Sequence, residues 1–221
     1  MRDNLDRLVS SGSNVVAYRD AMTTLGTSLG NVVAKNVPSA SKVLVAFTVE
    51  DADYLASGVL RALAQKRAPG NLSVACFWNE RIRLGQGGEV EEAPIVHQYV
   101  EPHPERVSAL VMVKSIISTS CVVRTNLLRL LDETKPKHIF VVAPVLYKDA
   151  RASLEKEFPD SVAAKFRYVY FAVDSKRTKD GLVVPGIGGS VYELLGLGTS
   201  TTKNRVRPAL VAERRHQIAA G

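Results

Sequence analysis

From Lys42 onward, short apolar runs alternate with segments whose apolar residues recur every three to four positions. Lys42–Thr48, Leu72–Trp78, Val107–Val113, His138–Val145 and Phe166–Val173 are rich in Val, Ile, Phe and Tyr and read as buried strands. Between them, Asp53–Lys66 places Leu55, Ala56, Val59, Leu60, Leu63 and Ala64 on one helical face. Cys121–Glu133 does the same with Val122, Val123, Leu127, Leu130 and Leu131. Asp149–Phe158 predicts a third helix, stopped by Pro159. Upstream, Val15–Val37 predicts a helix with Leu25, Leu29, Val32 and Val33 on one side. Such alternation predicts an α/β fold: a central, mostly parallel sheet with right-handed crossovers and flanking helices.

Two segments break the rhythm. Asn79–Pro94, with Gly85, Gly87 and Gly88 at its centre, lies between β-like Val74–Trp78 and Ile95–Val100, which predicts a β-hairpin flap over the sheet. Residues 199–221 are polar and basic, carrying Lys203, Arg205, Arg207, Arg214 and Arg215. They read as a loose tail or as an arm that orders on a partner. The expected division is a domain over residues 1–198, including the N-terminal helix, and a basic tail or arm over 199–221.

At 221 residues the chain fits one domain, long enough to bury roughly 70% of its unfolded surface. No apolar run approaches the ~20 residues that cross a bilayer, and Asp3 and Asp6 near the start argue against a signal peptide. Cys76 and Cys121 sit in apolar sequence without metal-ligand spacing, as do His97, His103, His138 and His216 with respect to any second ligand. Reduced thiols in a cytoplasmic protein are the simplest expectation. The net charge of +7 favours attraction to RNA, DNA or other polyanions. A merely soluble basic surface is the alternative.

In an open parallel sheet, ligands sit beyond the carboxyl ends of the strands. The first such loop, Val49-Glu50-Asp51-Ala52-Asp53, offers three carboxylates that either hold a divalent metal or complement a helix dipole. The second runs from Lys114 to Ser120; Lys114, Ser118, Thr119 and Ser120 form an anion site or simply cap the following helix. The third is Pro185, Gly186, Ile187, Gly188, Gly189 and Ser190, where missing side chains let backbone approach something closely, or turn tightly.

In order, these parts resemble uracil phosphoribosyltransferases. Tyr18-Arg19-Asp20…Leu25-Gly26-Thr27…Leu29 looks like that family's Phe-Arg…Leu-Gly-Thr-Leu-Leu region. The Glu80–Pro94 flap followed by Tyr99-Val100 resembles its hairpin. Asp174…Lys179-Asp180-Gly181-Leu182-Val183-Val184-Pro185-Gly186-Ile187-Gly188 is similar to its run into Gly-Tyr-Ile-Val-Pro-Gly-Leu-Gly. The resemblance spans roughly residues 14 to 198. It implies a type I phosphoribosyltransferase fold, a homodimer or larger assembly, and transfer of phosphoribose from phosphoribosyl pyrophosphate to uracil with magnesium.

Against that pattern, Lys114 stands where the family has Asp, and Ser120-Cys121 replace two glycines of its phosphate loop. Glu50-Asp51-Ala52 replaces Arg-Ala-Gly, and Gly189-Ser190-Val191-Tyr192-Glu193 replaces Asp-Ala-Gly-Asp-Arg. A carboxylate facing pyrophosphate is repulsive unless a metal intervenes. The two reversed charges predict a salt bridge between Glu50 and Lys114 across the cleft. The expectation is a phosphoribosyltransferase-like protein that has lost transfer and serves as a binding or assembly subunit for a nucleotide, nucleic acid or protein. Similar domains serve bacterial defence systems in this way. The alternative is an active, altered transferase using Glu50, Asp51 and Asp53 with magnesium.

Overall fold

The computed structural model describes residues 2–10, 14–84, 90–178, 181–199 and 202–219. Gly85, Gly87, Gly88, Lys179 and Asp180 lie outside the described residues, as does the side chain of Lys203. Helices α1 (Arg2–Ser10) and α2 (Val15–Asn36) precede β1 (Val43–Thr48). Asn14 caps α2, its side chain accepting from the Ala17 N–H at 3.0 Å. A 3₁₀ turn over Val49–Asp51 and a wider π-turn over Ala52–Ala56 lead into α3 (Ser57–Ala64), so the helix expected from Asp53 starts irregularly. Next come β2 (Leu72–Asn79), the hairpin strands β3 (Ile82–Leu84) and β4 (Val90–Glu92), and β5 (Ile95–Val100). Strands β6 (Ala109–Val113) and β7 (Ile116–Ile117) feed α4 (Cys121–Thr134). Strands β8 (His138–Val142) and β9 (Val145–Tyr147) feed α5 (Ala150–Glu155) and α6 (Asp160–Ala163). The chain continues through β10 (Phe166–Val169), β11 (Ala172–Asp174), β12 (Lys176–Arg177), β13 (Val183–Val184), α7 (Val191–Leu194) and α8 (Ala209–Ala219).

The main sheet has the order β10-β8-β6-β1-β2-β5, parallel except for β5, which returns antiparallel on β2. β1 lies inside it and is buried along its whole length, as a strand covered on both faces must be. One face carries α2 and α3, with Leu25, Leu29, Val59 and Leu63 against Val45 and Phe47. The other carries α4 and α5, with Leu127, Leu130 and Leu154 against Leu110, Met112 and Val141. Helices α2 and α3 meet through bare backbone: a Cβ on Gly26 would run into the Leu55 carbonyl, and one on Gly58 into that of Thr23.

Two expected strands are each split. His138–Val145 and Phe166–Val173 break, and their ends join β7 in a second parallel sheet, order β11-β9-β7. Pro144 supplies the reason: it has no N–H to continue the ladder, while its carbonyl accepts from Phe171 and Ala172, both at 3.1 Å. This second sheet stands beyond the carboxyl ends of the main strands.

The C-terminal segment packs on the domain and does not trail from it. The Asp53 carboxylate accepts from the first N–H groups of α8, Ala209 at 3.1 Å and Leu210 at 2.9 Å. The Trp78 indole N–H donates to the Val206 carbonyl at 3.0 Å. Arg214 reaches Glu101 through two bonds, at 2.6 and 2.7 Å, and donates to the Leu72 carbonyl. The segment reads as polar because a single buried residue, Val211, anchors its helix.

Candidate functional site

β1 and β6 are adjacent and parallel, with Phe47 opposite Val113, so the loops after them emerge side by side. There Lys114 Nζ donates to Glu50 Oε1 and to Asp51 Oδ2, both at 2.9 Å. The salt bridge expected from the reversed charges is present, and Asp51 is a second partner. Asp51 also accepts from the Thr48 hydroxyl at 2.7 Å and from the Ser115 N–H at 3.0 Å. The Tyr192 hydroxyl donates to Glu50 Oε1 at 3.0 Å. The side chains are almost wholly buried: 6% exposed for Lys114 and Glu50, none for Asp51. Burial raises the Asp51 carboxyl above its ordinary range against the pull of Lys114. Burial disfavours charge on Lys114, yet Asp51 and Glu50 outweigh it and hold the ammonium above its usual value.

This cluster lies at one wall of a cleft of about 550 Å³, a size suited to small molecules. Glu80, Arg81 and Glu91 from the hairpin region form another wall, where Arg81 approaches Glu91 at 3.6 Å. Ile187, Gly189 and Ser190 bring the glycine loop to the cleft. Two lining residues hold buried polar atoms without a hydrogen-bond partner among the described residues, Ser115 Oγ and Asn204 Oδ1. Each is costly unless something completes it.

The glycine loop follows a cis Val184–Pro185 bond, with φ of +55° at Gly186, +87° at Gly188 and +141° at Gly189. The Gly186 N–H donates to Asp174 at 2.8 Å, and the Ile187 carbonyl accepts from the Tyr18 hydroxyl at 2.9 Å. A Cβ on Gly188 would strike the Leu8 carbonyl of α1, and one on Gly186 that of Val183. The close approaches expected at these two glycines are thus to the protein's own backbone.

The other sequence candidates separate. Lys114 is committed to carboxylates, so the expected anion set of Lys114, Ser118, Thr119 and Ser120 does not assemble around a free charge; only Lys114 and Ser118 of the four line the cleft. Ser120 makes no capping bond and reaches Glu157 at 3.2 Å, while Thr119 contacts the Cys121 sulfur at 3.4 Å. Asp53 turns to α8, away from Glu50 and Asp51. Arg214 is held by Glu101, apart from exposed Arg205, Arg207 and Arg215. Among the described residues, no three His, Cys, Asp or Glu side chains group as metal ligands. With Glu50 and Asp51 answered by Lys114 and Ser115, the carboxylates do not fit the magnesium that the resemblance implies. Sequence reasoning missed Ser115, Asn204 and Glu101; none belongs to a spacing pattern, and only the fold brings them to their partners.

No protein-family profile and no curated protein matches the chain. Among solved structures it is similar to the AQ2163 protein of Aquifex aeolicus, at 14% identity and a TM-score of 0.70, over 90% of this chain and 95% of that one. Its likeness to a hypoxanthine phosphoribosyltransferase from Staphylococcus aureus is 12% identity and a TM-score of 0.48, over 71% and 74% of the two chains. For the hypoxanthine-guanine enzyme of L. donovani the values are 11% and 0.48, over 72% and 84%. The likeness to the Aquifex protein is one of fold: a mostly parallel sheet between helical layers, with a hairpin beside it. Among the described residues, no helix is long and apolar enough to cross a membrane.

Proposed function

We propose that this protein is a binding or assembly subunit on a phosphoribosyltransferase-like scaffold, and that phosphoribosyl transfer has been lost. One observation carries the reading: the buried Lys114–Glu50–Asp51 cluster occupies the two loops that the sequence resemblance assigns to the sugar-phosphate donor. A transferase of this kind needs cationic groups and backbone N–H groups open to a polyanion. Here Lys114 is consumed internally and Arg81 faces Glu91, while Glu50, Glu80 and Glu91 all line the cleft and outnumber these two cations against a pyrophosphate.

What the cleft suits instead is a small uncharged ligand. The Ser115 hydroxyl can donate and accept, and the Asn204 amide oxygen accepts. An amide-like edge, such as that of a pyrimidine base, offers both complements. The cleft volume of about 550 Å³ accommodates such a ring with a sugar attached. The net positive charge, the cytoplasmic setting expected from the two free thiols and the homodimer or larger assembly implied by the resemblance belong to the same proposal.

Calorimetry and a turnover assay test it together. Phosphoribosyl pyrophosphate with magnesium is expected to give no saturable heat, and uracil to remain unconverted. Formation of uridine monophosphate by the purified chain would overturn the reading in favour of an active transferase. Saturable uracil or uridine binding that is lost in Ser115→Ala would support the cleft as described.

A further inference from the structure

A second cavity, about 690 Å³, opens between the edge strand β5 and the docked C-terminal segment, and Asn204 borders both it and the first cleft. Trp78, His97, Arg205, Arg207, Arg215 and His216 line it. No carboxylate does so among the described residues. Elsewhere on the molecule Arg124 pairs with Glu92 and Glu157, Arg129 with Glu133, and Arg151 with Glu155. Arg205, Arg207 and Arg215 form no ion pair among the described residues; Arg215 instead lies 5.1 Å over the Tyr99 ring. The fold holds this groove in place, since Trp78 is tied to Val206 and α8 to Asp53 and Glu101.

We propose that this groove binds single-stranded nucleic acid. The three guanidiniums that line the groove, none ion-paired among the described residues, supply phosphate contacts. The exposed His97 ring, set edge-on to Trp78 at 6.5 Å between centroids, offers a face on which a base stacks, and Trp78 and Val211 give an apolar floor. A cationic track combined with an aromatic platform is the arrangement that single strands require. The whole chain's +7 charge adds a long-range attraction in the same sense. Arg214, spent on Glu101, takes no part.

Trp78 is the single tryptophan of the chain, so its emission reports on the groove alone. The full-length protein is titrated with a fluorescent oligothymidylate strand, reading anisotropy and tryptophan emission together. Binding is expected to change Trp78 emission and to weaken by roughly tenfold or more between about 50 and 200 mM salt, at a slope near 0.7 per phosphate neutralised. Combined Arg205→Ala, Arg207→Ala and Arg215→Ala, with folding checked by circular dichroism, should lower affinity by at least about tenfold and the salt slope by about 2. A charge-matched variant with Lys35→Ala, Lys137→Ala and Lys156→Ala, on elements that do not line the groove, should bind as the native chain does. The proposal is overturned if the strand binds without altering Trp78 emission, or if the two triple variants behave alike. It is equally overturned if duplex DNA binds as tightly as the single strand, or if free uridine monophosphate displaces the strand at equal phosphate concentration.

Discussion

Among single residues, Lys114 decides most. It lies in the interior with two carboxylates at 2.9 Å, and a buried charge is tolerable only when its partners remain. Lys114→Met leaves Glu50 and Asp51 facing each other without a cation. We expect a loss of about 3–5 kcal/mol in urea unfolding at neutral pH. Adding Glu50→Gln to that variant should restore part of the loss, because neighbouring charges couple; equal or greater destabilisation of the double variant would count against the cluster. The charge reversals at Glu50 and Lys114 were visible in the sequence, and so was their pairing. That Asp51 joins them, and that Asp53 turns instead to α8, was not. Four consecutive loop positions give no clue to which carboxylate points inward, since the irregular turn from Val49 to Ala56 sets that.

At the scale of elements, the α2–α3 contact shows how a pattern becomes a fold. Periodicity marks both helices, but their spacing depends on Gly26, Gly30 and Gly58, where side chains would collide with facing backbone. Gly26→Ala raises intrinsic helix propensity by up to about 1 kcal/mol, yet a Cβ there meets a main-chain carbonyl that cannot rotate away. The net expectation is destabilisation of about 1–3 kcal/mol. It should appear as a fall of about 2–4 °C in Tm per kcal/mol. Gly70→Ala, where nothing lies within 4 Å, should leave the melt nearly unchanged and serves as the control. Strand identity was legible at this scale, but strand continuity was not. Apolar sequence runs on past Pro144 as Val145 and Leu146, and the missing N–H at Pro144 breaks the ladder there.

Across the whole molecule, several buried protons tie stability to alkaline pH, those of Tyr18, Tyr192 and Lys114 among them. The Tyr18 phenol, donating to Ile187, and the Tyr192 phenol, donating to Glu50, are both held above their ordinary value of 10.0, chiefly by burial. Lys114 is likewise held above 10.5. The folded chain therefore keeps protons that the unfolded chain releases above pH 10, so this stability is present below that pH and is lost as pH rises through the folded values. Combined Tyr18→Phe and Tyr192→Phe should give a shallower alkaline decline in urea midpoints than the native chain, at the cost of about 1 kcal/mol per lost hydrogen bond near neutrality. An unchanged decline would assign it to other groups. Taken alone, the order of apolar and polar residues determined the fold class, the main strands, the helices that flank them and the hairpin, because burial of alternating faces needs only local periodicity. Tertiary structure decided which charges meet. Lys114 joins Glu50 and Asp51 across 63 to 64 positions, Arg214 joins Glu101 across 113, and a basic tail becomes a docked helix. Electrostatic pairing depends on distance in space, which no spacing along the chain encodes.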